Sequence, residues 1–191
     1  MPMIPHFDYL ARIYDRFAGR PNLAVLEELL DLPIRGWMLD VGGGTGRVSY
    51  PFLAHAHRIV IADASLPMLR AAGRKGRLLT VKSLAECLPF SEKSFERILV
   101  VDAFHHFENA QRSVAELGRV LQQGGRIVIE EPDLRRRAVK AVAVAEKLAF
   151  MKSRFFQPLS ILKMLTECGL SARMTNSDGF RVWIVADKTP P

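Results

Sequence analysis

The chain has 191 residues, of which 49% are hydrophobic and 25% charged, and it carries a formal net charge of +7. That is enough to bury one ordinary core. There is no internal repeat or low-complexity tract, and no apolar run approaches the ~18 residues that a membrane span needs. The N-terminus lacks the charged-then-apolar pattern of a secretory leader. Cys87 and Cys168 lie far apart on unlike elements, which reads as reduced thiols in a cytoplasmic protein rather than a disulfide framework.

Residues 1–35 precede the first clear strand, and the run Phe7 to Phe17 within them is rich in aromatic residues. Trp37-Met38-Leu39-Asp40-Val41 reads as a short apolar strand that runs straight into Gly42-Gly43-Gly44-Thr45-Gly46, with a helical pattern after it. Backbone can approach a ligand that closely only where Cβ atoms are absent. The strand's carboxyl end and the following helix N-terminus are where open α/β sheets bind small molecules. The spacing decides which kind. A dinucleotide loop needs G-x-G-x-x-G, and counting from Gly42 the last glycine is replaced by Arg47. The run is instead Asp-x-Gly-x-Gly-x-Gly, from Asp40 to Gly46.

At this loop the chain resembles the class I S-adenosylmethionine-dependent methyltransferases, whose first motif has this form. The resemblance implies that Asp40, Gly42, Gly43, Gly44 and Gly46 carry the methionine and ribose part of S-adenosylmethionine. Arg58 to Asp63 is a buried strand ending in a carboxylate nineteen residues beyond Gly44. Asp63 can accept both ribose hydroxyls, or it can cap the helix that begins near Ser65. Ala64 and Met68 follow, as in the family's Ser-x-x-Met-Leu pattern, with Met68 expected in the core and near the ribose or adenine.

Ser83-Leu84-Ala85-Glu86-Cys87-Leu88-Pro89-Phe90, followed by Ser94-Phe95-Glu96, is similar to a run in the ubiquinone and menaquinone biosynthesis methyltransferases. There a leading acid receives the adenine amino group. Here Leu84 stands in its place, so adenine reading falls to the Ala85 backbone or to Glu86. Ile98 to Val101 is a central strand ending at Asp102, and His105-His106-Phe107 after it matches a family signature. The resemblance sets these residues beside the methyl group. Either His can take a proton near neutrality or hydrogen-bond the next helix, and since neighbours point apart, at most one is expected to face the site. No metal site is expected.

An amphipathic helix over Val114 to Gln123, stopped by Gly124-Gly125, precedes a fifth strand over Arg126 to Pro132. Pro132 to Ser160 holds Arg135, Arg136, Arg137, Lys140, Lys147, Lys152 and Arg154 against Asp133 and Glu146. This surplus can be a solvated face, a seat for an acidic substrate, or a peripheral contact with an anionic membrane. Nucleic acid is not expected, since no recognition motif accompanies the charge. Leu159 to Cys168 reads as a helix, and Ser171–Thr175 and Arg181–Ala186 read as a hairpin.

The expected fold is α/β: a Rossmann-like three-layer sandwich whose seven-stranded, mostly parallel sheet ends in an antiparallel C-terminal hairpin. It forms a single domain, 1–191. Within it, 1–35 is an N-terminal lid, 36–131 the cofactor core, 132–168 the acceptor side and 169–191 the hairpin. The resemblance makes Tyr14 a lid residue near the cofactor; it can equally be a docking aromatic. The expected reaction is methyl transfer from S-adenosylmethionine to a small-molecule or lipid-like acceptor. The alternatives are a non-catalytic S-adenosylmethionine-binding regulator, suggested by Leu84, and a nicotinamide oxidoreductase, suggested by the glycine loop with Asp63.

Overall fold

The computed structural model describes residues 21–133, 156–175 and 180–189. Tyr14 and most of the basic stretch lie outside them. The described elements are α1 (Leu23–Leu30), β1 (Trp37–Val41), β2 (Arg58–Asp63), α2 (Leu66–Arg74), β3 (Leu79–Lys82), β4 (Phe95–Val101), α3 (Ala110–Val120), β5 (Leu121–Pro132), α4 (Pro158–Glu167), β6 (Ser171–Met174) and β7 (Arg181–Asp187).

All seven strands join one sheet in the order β3-β2-β1-β4-β5-β7-β6. β1 to β5 run parallel, and β7 lies antiparallel between β5 and β6. The alternation of side chains along each strand divides the core into two layers. Leu39, Ile98, Val100, Ile127, Ile129 and Ile184 pack on one face with Val114 and Leu117 of α3 and Ile161 and Leu165 of α4. Met38, Ile59, Ile61, Leu99, Val128 and Val185 pack on the other with Leu26 and Leu30 of α1 and Leu69 and Ala72 of α2. Strands apolar on both faces are what a doubly covered parallel sheet requires. The three-layer sandwich with its antiparallel hairpin is therefore observed.

Two local expectations are corrected. The stretch after the glycine loop is a set of turns leading into a short 3-10 helix, Tyr50–Ala54, rather than an α-helix. Pro51 near its start has no N–H to give, and Gly46 at φ +69° lies outside helical space. Second, α3 stops at Val120, so Leu121, Gln122 and Gln123 begin β5. Leu121 pairs with Phe95 ahead of a register shift in β4. The helix's last carbonyls are met by Lys188, whose Nζ donates to the oxygens of Gly118 and Leu121 at 2.6 and 2.9 Å.

Candidate functional site

A cavity of about 420 Å³ opens at the carboxyl ends of β1 to β4, where the strand order reverses between β1 and β4. The loop after β1 forms its floor. The Gly42 N–H donates to the Ala62 carbonyl at 2.7 Å. A Cβ at Gly42 would stand 2.5 Å from the Ala103 Cβ, so that glycine lets the β1 and β4 ends meet. Gly44, at φ +54°, differs: among the described residues an added Cβ would find only Asp63 Oδ2 at 3.9 Å and Met68 Sδ at 4.0 Å. Its bare backbone faces the cavity.

Asp63 ties this loop to the next element. Its Oδ2 accepts from the Gly44 N–H at 2.9 Å and its Oδ1 from the Ser65 N–H at 2.8 Å. Ser65, not Asp63, is the N-cap of α2, with its hydroxyl accepting from the Met68 N–H.

Asp40 is 1% exposed, and its Oδ2 has no hydrogen-bond partner among the described residues. Burial pushes its carboxyl up to about 7; the Asp63 charge adds to this, while Ser49 and Arg47 oppose it. Ser83 is the second orphan. Its N–H donates to the Asp63 carbonyl at 3.0 Å, but its buried hydroxyl has no partner among the described residues. Beside it Leu84 is 45% exposed and Ala85 is buried. Glu86 is partly committed: its Oε1 accepts the Asn109 N–H at 3.0 Å, and its carbonyl accepts from Arg112 Nε at 2.9 Å.

At the end of β4 the chain turns through Asp102, at φ +51°. Burial, and then the neighbouring Glu131 charge, hold the Asp102 carboxyl above the ordinary range. The two histidines part here. His106 lines the cavity. His105 is 5% exposed and turned into the core, where its Nδ1 lies 2.7 Å from Glu131 Oε2.

Of the residues singled out in the sequence, Asp40, Gly42, Gly43, Gly44, Asp63, Ala64 and Met68 line this one cavity. Leu84, Ala85, Glu86, Asp102 and His106 line it as well. His105 does not, for the reason just given. Nor does Gly46, which is buried, with Leu78 Cδ1 2.7 Å from where its Cβ would be. Sequence reading missed Ser83, Arg47 and Glu108 on the lining, and Glu131 behind it. Ser83 opens one of the motifs without having been assigned a role, and Glu108 stands immediately beside another, so reading each motif to its edges would have found them.

Residues 39–129 match a family model described as a methyltransferase domain. Over those residues the chain is similar to the methyltransferase domain family. An uncharacterized methyltransferase of Bacillus subtilis, YcgJ, is 29% identical over 59% of the chain and 47% of its own length. A demethylmenaquinone methyltransferase of Thermobifida fusca is 35% identical over 49% of the chain and 42% of its own length. The chain thus spans less than half the length of these two relatives. A crystal structure from Thermotoga maritima, described as an S-adenosylmethionine-dependent methyltransferase and possible histamine N-methyltransferase, superposes with a TM-score of 0.82. It covers 98% of this chain and 100% of that one at 22% identity, a likeness of fold.

The cavity suits S-adenosylmethionine, the cofactor that the sequence resemblance implies. The orphaned atoms Asp40 Oδ2 and Ser83 Oγ offer an acceptor and a hydroxyl. The crowded carboxylates of Asp40, Asp63 and Asp102 favour a ligand that brings positive charge on sulfur and nitrogen. The same crowding opposes the two phosphates of a nicotinamide dinucleotide, which would also lack a regular helix N-terminus to receive them. Leu84 marks the remaining deficit. Leu84→Asp is expected to tighten S-adenosylmethionine binding by roughly 1–2 kcal/mol, toward the low end for a hydrogen bond to a charged group because position 84 is 45% exposed. Calorimetry checks this; a tenfold loss would show that adenine does not lie against Leu84.

Proposed function

We propose that the protein transfers a methyl group from S-adenosylmethionine to a small or lipid-like acceptor. The observation that carries this reading is the bare Gly44 backbone facing a cavity whose adjoining wall carries the Asp63 carboxylate. Gly42, Gly43 and Gly44 would pass beneath the cofactor, Asp63 would hold the ribose hydroxyls, and Asp40 and Ser83 would take polar groups of its methionine and adenosine parts. Bound there, S-adenosylmethionine supplies an electrophilic methyl group on sulfur, open to in-line attack by oxygen, nitrogen or carbon.

The protein's own part is positioning, exclusion of water and handling of the acceptor's proton. His106 is the group proposed for the last. An imidazole nitrogen of His106 would take the proton that the acceptor gives up on being methylated.

Two measurements test the reading. S-Adenosylmethionine at a hundredfold over its dissociation constant is expected to stabilise the protein by about 2.7 kcal/mol, seen as a raised melting temperature, while NADH gives no shift. Equal shifts from both would defeat the cofactor assignment. Labelled methyl transfer onto a panel of phenols, quinols, amines and lipids then tests catalysis. Firm cofactor binding with no transfer to any of them would favour the regulatory alternative.

The sequence of the basic stretch adds a membrane component to this proposal. Each Lys or Arg that meets an anionic bilayer contributes about 1 kcal/mol. Replacing Arg136, Lys140, Lys147 and Arg154 by Gln is therefore expected to abolish low-salt sedimentation with anionic vesicles. If the unaltered protein stays in the supernatant, the acceptor is met in solution.

A further inference from the structure

Glu131 lies at the carboxyl end of β5, where neither the glycine loop nor the motifs after β2 and β3 reach it, and it is 5% exposed. Its two oxygens serve two neighbours on the far side of the β4 turn. Oε1 accepts the Phe104 backbone N–H at 2.9 Å. Oε2 lies 2.7 Å from His105 Nδ1. One carboxylate thus pins both the backbone of the 3-10 turn Phe104–His106 and the ring of its middle residue.

That ring is in turn packed against the one that faces the cavity. The centroids of His105 and His106 are 4.0 Å apart, with their planes inclined at 52°. The row Glu131–His105–His106 therefore runs from the end of one strand, through the core, to the cavity wall. Leaving a buried carboxylate with a partner on each oxygen satisfies it, and a short contact to an imidazole nitrogen also fixes which nitrogen holds the proton. Asp102 and Glu108 stand on the cavity wall, Arg181 and Arg47 lie within electrostatic reach of Asp102, and Glu130, next to Glu131 on β5, pairs with Arg181.

We propose that Glu131 is a positioning residue, which fixes the orientation of the cavity-facing His106 through the buried ring of His105. The proposal deepens the reading of His106 as the proton acceptor and rests on it for its functional meaning. The geometry explains why two adjacent histidines occur. One is the working ring, and the other is the plate that a carboxylate holds against it.

The test uses nuclear magnetic resonance of the full chain with S-adenosylhomocysteine present, so it needs no knowledge of the methyl acceptor. In the unaltered protein the His105 Nδ1 proton is expected as a deshielded signal protected from solvent exchange, with the His106 ring in a single sharp environment. Glu131→Gln is expected to remove the protected proton and to shift or split the His106 ring signals. S-Adenosylhomocysteine affinity should stay within about twofold, because Glu131 does not line the cavity.

His105→Gln is the second variant, should Glu131→Gln not fold. Its side-chain amide still donates to Glu131 but gives His106 no ring to lie against, and the same change in the His106 signals is expected. Unchanged His106 signals in either folded variant would overturn the proposal. Failure of the underlying reading looks different. His106→Gln would then transfer methyl groups to the acceptor panel at the unaltered rate, even while Glu131→Gln still disturbed the His106 ring.

Discussion

Gly44→Val is expected to abolish S-adenosylmethionine binding and leave the protein folded, whereas Gly42→Val is expected to unfold it. Both glycines have positive φ, +54° at Gly44 and +70° at Gly42, so a β-branched residue strains the backbone at either. What separates them is what the new side chain meets. At Gly44 the only neighbours of a Cβ among the described residues are Asp63 Oδ2 and Met68 Sδ near 4 Å, so the methyl groups project into the cavity. At Gly42 the Cβ would collide with the Ala103 side chain at 2.5 Å, between two strand ends that cannot separate without breaking the sheet. Calorimetry with S-adenosylhomocysteine, beside thermal melts of both variants, checks the pair. Unchanged affinity in Gly44→Val would reduce the loop to a turn, and a stable Gly42→Val would show that β1 and β4 tolerate separation there.

Asp40→Asn is expected to stabilise the ligand-free protein at pH 8 by as much as about 4 kcal/mol. The sign follows from the direction of the shift. Burial lifts the Asp40 carboxyl from 3.8 to about 7 in the folded chain. The folded state therefore holds the proton more tightly than the unfolded state. The contribution of this group is full below about pH 4, is lost as pH rises through about 7, and is constant above. At about 1.4 kcal/mol per pH unit, that interval gives the figure stated. An amide matches the protonated carboxyl and carries no charge, so the variant should lose this slope. Melting curves of the two proteins between pH 4 and pH 8 check it, and their difference should grow with pH. Parallel curves would show that Asp40 ionises without penalty. The gain should be accompanied by weaker S-adenosylmethionine binding, since the buried charge is what attracts a cationic ligand.

The fold was legible because the pattern is repetitive. Met38-Leu39, Ile59-Val60-Ile61 and Ile98-Leu99-Val100 are apolar on both faces, and only a covered parallel sheet accommodates that. Boundaries were less legible. The helical pattern of α3 carries on past Val120 into Leu121 to Gln123, and only strand pairing with Phe95 and the capping Lys188 decide that it stops. Both are long-range contacts, which a window of sequence does not contain.

At the site, residues attached to a loop of fixed shape were legible: Asp40, Gly44 and Asp63 stand at strand ends, where the chain has to turn. The division of labour between His105 and His106 was not. It depends on Glu131, far along the chain, whose carboxylate reaches the β4 turn only after β5 has paired with β4. Gly46 misled for the opposite reason. Its spacing fits the motif, but Leu78 packs over it from the far side of the loop.

The antiparallel insertion of β7 between β5 and β6 also sets the order in which the molecule can be completed at the ribosome. β5 pairs with β4 as soon as it emerges, but its other edge, from Arg126 to Pro132, stays open until Arg181 to Asp187 have been made. All of α4 and β6 are synthesised in that interval, and β6 has no sheet to join, because its partner is β7. A nascent chain therefore displays an unpaired, Ile- and Val-rich strand edge through the synthesis of residues 133–180. Such an edge recruits other strands. Chains stalled before β7 should associate with one another or with chaperones, whereas chains released after it should not.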